Sequence, residues 1–230
     1  MVGRKCRQHA AFRMKTLAAI IPAAMGLCGV GIPSLGRLMH GPTSAKHNIK
    51  RVCRFLCNAD LECEAIASAI FRLFAPRQGR VLVLADWTDV ANGKLLVFTL
   101  PCNGRTIPFF TRVLPKQVGD GALVRAEEEA MEALGRICRD RAEVIIVLDR
   151  GFGNKRWLAS VRRAGFHHVQ RLSSEFNVDT ERYTGNFKEL DLRRGPRTRD
   201  WGRGTMEEEE AIEGRLITAY DPKARNHGTW

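Results

Sequence analysis

Carboxylates are scarce in the first third of this 230-residue sequence. Residues 1–80 hold three Asp or Glu against thirteen Lys or Arg, within a net charge of +12. Over residues 81–230 the signs nearly balance, at twenty-two acids against twenty-four bases. A segment so poor in negative charge points to a polyanionic partner, either nucleic acid or an anionic membrane surface.

Paired C-x-x-C knuckles are also missing. The seven cysteines are odd in number and irregularly spaced. That pattern argues against a disulfide framework and for a reducing, cytoplasmic setting. Cys53, Cys57 and Cys63 with His47 could be forced into a zinc site, but they fall within a helical pattern and read better as small buried hydrophobes. A long unbroken apolar run is the third absence. No charge occurs between Lys15 and Arg37, and a basic start before such a run resembles a secretory leader. Pro22, Pro33 and several glycines interrupt it, so it makes a poor spanning helix, and no small-x-small cleavage site is followed by a secreted-looking chain. The expectation is a buried helix in an N-terminal helical domain, with no membrane partner. No internal repeat is found.

What the chain does contain begins with a basic helix. Residues 43–75 read as helical, with Thr43 or Ser44 at the start and Ile49, Val52, Phe55 and Leu56 at helical spacing. Lys46, Lys50, Arg51 and Arg54 recur at three- and four-residue steps, the layout of a phosphate-facing stripe. Ala75-Pro76 breaks the pattern, and residues 76–80 read as a linker.

From residue 81 the pattern turns to strands. VLVLADWTDV, KLLVFTLP and RTIPFFTRVL form a predicted antiparallel meander, with Asn103-Gly104 as a tight hairpin turn. ALVRAEEEAMEALGRICRDR follows as an amphipathic helix with Leu123, Ala130, Leu134 and Ile137 on its apolar side. AEVIIVLDRGF reads as a strand buried on both faces, since its apolar run is continuous. Asn154 can cap the next helix, Gly165 can end it, and HHVQRLS is a further strand. Three strands, helix, strand, helix, strand suit a mixed α/β sheet.

That order carries the functional expectation. The fourth strand follows a helical crossover, so it can lie parallel to the first. Asp86 and Asp149, far apart in sequence, would then sit side by side at the carboxyl ends of neighbouring strands, where such sheets bind ligands. Asp89 is an alternative to Asp86 on the opposite strand face, and alternation alone does not say which face holds the site. Two carboxylates a few ångströms apart repel, and a divalent cation relieves the conflict. Hard oxygen donors suit Mg²⁺ or Mn²⁺. Two such ions about 4 Å apart serve phosphodiester chemistry.

At these residues the sequence resembles the cut-and-paste DDE transposases of bacterial insertion sequences, in the insertion-sequence-four group. ADWTDV matches the strand end bearing that family's first catalytic aspartate, and VIIVLDRGFGNKRW matches the second. KHNIKRVCRFLCN is similar to the basic helix preceding the catalytic domain. The resemblance covers most of the chain. It implies a ribonuclease-H-like fold over residues 81–173, a DNA-binding region over 1–75, and part of a β-rich insertion over 174–230. It further implies catalysis and metal binding by Asp86 and Asp149, with two Mg²⁺ or Mn²⁺ ions cleaving and joining DNA at transposon ends. Arg150, Lys155 and Arg156 join the stripe on the basic helix as expected DNA contacts. Transposon ends and target DNA are the implied partners, with a homodimer or a heterodimer with a full-length transposase, near the nucleoid. The family's Tyr-x2-Arg-x3-Glu-x6-Lys pattern, which carries its third carboxylate, is not found. The expectation is therefore a truncated copy, impaired or inactive, with a non-catalytic DNA-binding remnant as the alternative. A general metal-dependent nuclease on the same sheet is a third reading.

Overall fold

A computed structural model describes residues 2–25, 31–57, 63–117, 119–140, 143–152, 155–172, 176–190, 197–207 and 211–219. The chain divides into two compact units, Met1–Glu62 and Cys63–Trp230.

In the first unit α1 spans Val2–Met25, α2 spans Ile32–Leu38 and α3 spans Ala45–Leu56. Ile20, Ala23, Leu35, Met39 and Val52 form its core. Gly36 lets α2 lie on α3: a Cβ there would stand 2.6 Å from the Ile49 backbone. α1 is amphipathic rather than buried throughout, with Thr16, Ile20 and Ala23 inside and Met14 and Ile21 exposed. No helix among the described residues is long and apolar enough to cross a membrane.

The second unit begins earlier than the sequence pattern implies. α4, Cys63–Phe74, belongs to the sheet and not to the basic N-terminal region. Ala67, Phe71 and Ala75 are buried in the main core, and the Phe71 ring lies 5.3 Å from that of Phe109. Cys53, Cys57 and Cys63 are exposed, contrary to expectation. Asn48 and Val52 on α3, and Ala67 and Phe71 on α4, take the inward positions instead.

The main sheet contains β1 (Arg80–Val90), β2 (Gly93–Cys102), β3 (Arg105–Pro115), β4 (Glu143–Leu148) and β5 (His167–Gln170). Its order is β3-β2-β1-β4-β5. The meander β1-β2-β3 is antiparallel, and β4 and β5 are parallel to β1. Asn103 and Gly104 both take positive φ, 48° and 76°, in the β2–β3 turn, the conformation that this residue pair accepts most readily. α5 (Asp120–Ile137) links β3 to β4, and α6 (Lys155–Arg163) links β4 to β5. Gly165 at φ 78° closes α6, with its N–H on the Arg162 carbonyl and the Phe166 N–H on Val161. Asn154 lies outside the described residues.

Three helices cover one face. Val81, Val83, Ala85, Val144, Ile146 and Leu148 share a single core with Leu134 of α5 and Trp157 and Val161 of α6. β4 alternates instead of burying both faces, with Val144, Ile146 and Leu148 inside and Glu143, Ile145 and Val147 half-buried. Leu82, Val113 and Val169, on the second face, are 44%, 64% and 57% exposed. No described helix packs there, so a continuous apolar run did not mean two-sided burial.

A separate antiparallel sheet follows, in the order β7-β6-β8-β9, from β6 (Asn177–Thr180), β7 (Tyr183–Asn186), β8 (Thr198–Glu207) and β9 (Ala211–Ala219). Phe176, Val178, Phe187, Met206 and Leu216 form its core.

Candidate active site

The parallel ladder between β1 and β4 runs from Arg80↔Glu143 to Ala85↔Leu148. Asp86 is the next residue of β1, and Asp149 is the first residue after β4. Adjacent strands lie about 4.8 Å apart. Asp86 stays in the sheet, paired with Val97 of β2. Asp149 leaves it, because Arg150–Phe152 coils into a single 3₁₀ turn whose Phe152 N–H donates to the Asp149 carbonyl at 3.2 Å. Phe152 fixes that turn. Its ring is buried, 5.2 Å from the Trp157 ring of α6. The sequence DRGF thus ends a strand with an exposed carboxylate and anchors the turn by an apolar side chain three residues later.

Both carboxylates line one open cavity of about 410 Å³, together with Trp87, Lys94, Glu127 and Phe152. Asp89 is not among the lining residues. Burial along β1 alternates, so Asp86 shares a side with Leu82 and Leu84, while Trp87 shares the core side with Val83 and Ala85. Thr88 Oγ1 stands 3.4 Å from Asp86 Oδ2, a long contact. Lys94, half-buried on β2, brings a positive charge into the same space.

Glu127 escaped the sequence reading. It is only 6% exposed, and its Oε1 accepts the Trp87 indole N–H at 3.0 Å. Its signal was present: Leu123, Glu127, Ala130, Leu134 and Ile137 alternate four- and three-residue steps, which puts one acid within the apolar seam of α5. An acid in such a seam requires a buried donor, and Trp87 supplies it.

The expected DNA contacts fall into two groups. Lys46, Lys50 and Arg54 are exposed on α3. Arg51 differs: it is half-buried, and its Nε donates to Thr16 Oγ1 of α1 at 2.9 Å. Arg156 is exposed in the first turn of α6. Arg150 lies in the 3₁₀ turn after Asp149, and Lys155 begins α6; their side chains are outside the described residues.

Two hard carboxylates beside an open, water-accessible space suit Mg²⁺, which takes one or two protein carboxylates and completes its shell with water and phosphate oxygens. Lys94 in the same cavity suits a phosphate ligand. Among the described residues no group of three His, Cys, Asp or Glu is placed to hold a metal ion.

No family model matches the chain. None of the curated proteins matches it either. Among solved structures, the chain is similar to one from a simian T-cell lymphotropic virus intasome in complex with PP2A regulatory subunit B56 gamma, at 15% identity and a TM-score of 0.26. The match covers 63% of this chain and 48% of that one, so this chain spans about half its length.

Proposed function

We propose that the chain is a DDE-type DNA transposase whose catalytic unit has a ribonuclease-H-like sheet. One observation carries this reading: two carboxylates that follow the last paired residues of adjacent parallel strands line one open cavity. The motifs around Asp86 and Asp149, the element order and the positive charge of the N-terminal region support it. Asp86 and Asp149 would hold Mg²⁺ or Mn²⁺. A bound ion of this kind polarises a phosphodiester and activates the attacking hydroxyl or water.

The remaining roles belong to the chain. Asp86 presents its acceptor oxygens from within β1 and Asp149 from the turn that Phe152 anchors, which limits their drift relative to one another. Lys94 offers a counter-charge to a phosphate entering between them. Trp87, tied to Glu127, walls the cavity on the core side. Lys46, Lys50 and Arg54 attract duplex DNA through its phosphates, with an affinity that falls as salt rises.

A second reading is a DNA-binding protein that does not cleave. The exposed Lys46, Lys50 and Arg54 of α3, which could bind DNA without either aspartate, favour it. A plasmid-nicking assay with Mg²⁺, run beside a duplex-binding assay, separates the two. The transposase reading expects nicking that is lost in Asp86→Asn and in Asp149→Asn while both variants still bind DNA. Binding with no nicking by the unaltered chain selects the second reading, and nicking that survives both substitutions sinks the assigned site.

A further inference from the structure

The second unit holds another cavity, away from the paired aspartates. It is a groove of about 610 Å³ where α6 meets the β8–β9 hairpin, lined by Arg162, Arg203 and Arg215 with Thr205, Glu213 and the glycines between them. We propose that this groove holds a phosphate of the backbone of duplex DNA. The proposal rests on the DNA-processing reading above and extends it to a second contact surface.

Two arginines stand side by side on one sheet face. Arg203 and Arg215 are register partners across β8 and β9. Directly opposed residues share a sheet face, and like charges in such pairs destabilise the ladder. Asp200 relieves part of that cost at Arg215, and an anion beside Arg203 would relieve the rest.

Each guanidinium has a different hold. Arg215 is clamped by Asp200, its Nε 3.1 and 3.0 Å from the two carboxylate oxygens. The register shift between Asp200 and Gly202 accompanies that reach, and Asp200 also accepts the Gly202 N–H at 2.9 Å. Arg162, in the last turn of α6, donates to the Glu213 carbonyl at 2.9 Å. That bond fixes the helix end against the hairpin. Arg203 is exposed with no side-chain partner among the described residues, and it faces the groove.

Gly204 and Gly214 are the next register pair after Arg203↔Arg215. A side chain at Gly204 would run into the Asp179 backbone of β6, which explains that glycine by packing. Successive residues point to opposite faces, so these glycines turn toward β6 and the Met206 side chain, while Thr205 and Glu213 share the arginine face. Glu213 lines the groove and Asp200 already neutralises Arg215, so the three guanidiniums meet two carboxylates and the excess positive charge is that of a single arginine. Planar guanidinium forks match phosphate oxygens in pairs. The groove is open, and a solvent-facing cluster of this kind suits a continuous polyanion better than an enclosed small molecule.

Fluorescence anisotropy of a labelled duplex, titrated across salt concentrations with the full chain, tests this. Arg203→Gln is expected to weaken binding and to lower the slope of log K against log salt by about 0.9, the value of one lost phosphate contact. Arg203→Lys should stay near the parent, and Arg203→Glu should weaken binding further with an unchanged circular dichroism spectrum. Lys50→Gln on α3 is the second arm. If Lys50→Gln lowers the slope and Arg203→Gln leaves it untouched, the groove is overturned and the DNA reading stands. If the parent chain does not bind duplex at all, both fall. Inorganic phosphate at matched ionic strength should leave duplex binding intact; displacement of the duplex that also erases the Arg203→Gln difference makes this a small-anion site and overturns the proposal.

Discussion

Trp87 and Glu127 are joined by one hydrogen bond, indole to buried carboxylate, that ties the end of β1 to α5. Trp87 adjoins Asp86, so whatever holds this indole also sets the strand end that carries the acid. Removing the acceptor leaves a half-buried N–H without its partner. Glu127→Ala is expected to cost about 1–3 kcal/mol of unfolding free energy, read from urea denaturation. Glu127→Gln keeps an acceptor and should cost clearly less. Equal losses in the two variants would show that the bond does not matter.

Phe152 pins the turn after Asp149 against Trp157. Its full burial predicts a loss of about 3–5 kcal/mol for Phe152→Ala. Phe152→Leu, which keeps most of the volume, should lose much less. Because the same ring fixes the Asp149 backbone, Phe152→Ala should also weaken Mg²⁺-dependent nicking at temperatures where the protein remains folded. Unchanged nicking by the folded variant would uncouple the turn from the site.

Asp200 titrates far below its ordinary range, at about 2 against 3.8, chiefly because Arg215 donates to it and then because of the Gly202 N–H. A depressed carboxylate pKa stabilises the fold above the unfolded value, and that contribution fades as pH falls toward the folded value. The β8–β9 pairing should therefore be indifferent to pH above about 4 and weaken between about 4 and 2. Carboxyl-carbon NMR reads this directly: Arg215→Gln should return the Asp200 titration toward 3.8. A midpoint unmoved by that substitution would exclude Arg215 as the cause.

Much of the main sheet was legible because its signals are local. Alternation in β1, the Asn103-Gly104 turn and the seam of α5 each depend on neighbouring residues. The parallel placement of β4 beside β1 followed from the intervening helix. Other features depend on what packs from elsewhere. α4 looks like a continuation of α3 until Phe71 meets Phe109 across the core. β8 was hidden inside RDWGRG, since glycine marks a turn by default. Here Gly202, at φ 87°, accompanies a register shift within a strand, and Gly204 yields to the β6 backbone. Asp86 and Asp149 could be paired from sequence, while the role of Glu127 required knowing that an indole would arrive opposite it.

The β1–β4 ladder has a thermodynamic consequence of its own. The meander closes through turns of a few residues, whereas Ala85 and Leu148 meet only after the chain has travelled through β2, β3 and α5. The entropy of that long closure is offset by the ladder itself and by α5 docking on the sheet. Partial release of α5 would thus loosen the ladder that sets the two carboxylates side by side while both hairpins of the meander remained zipped.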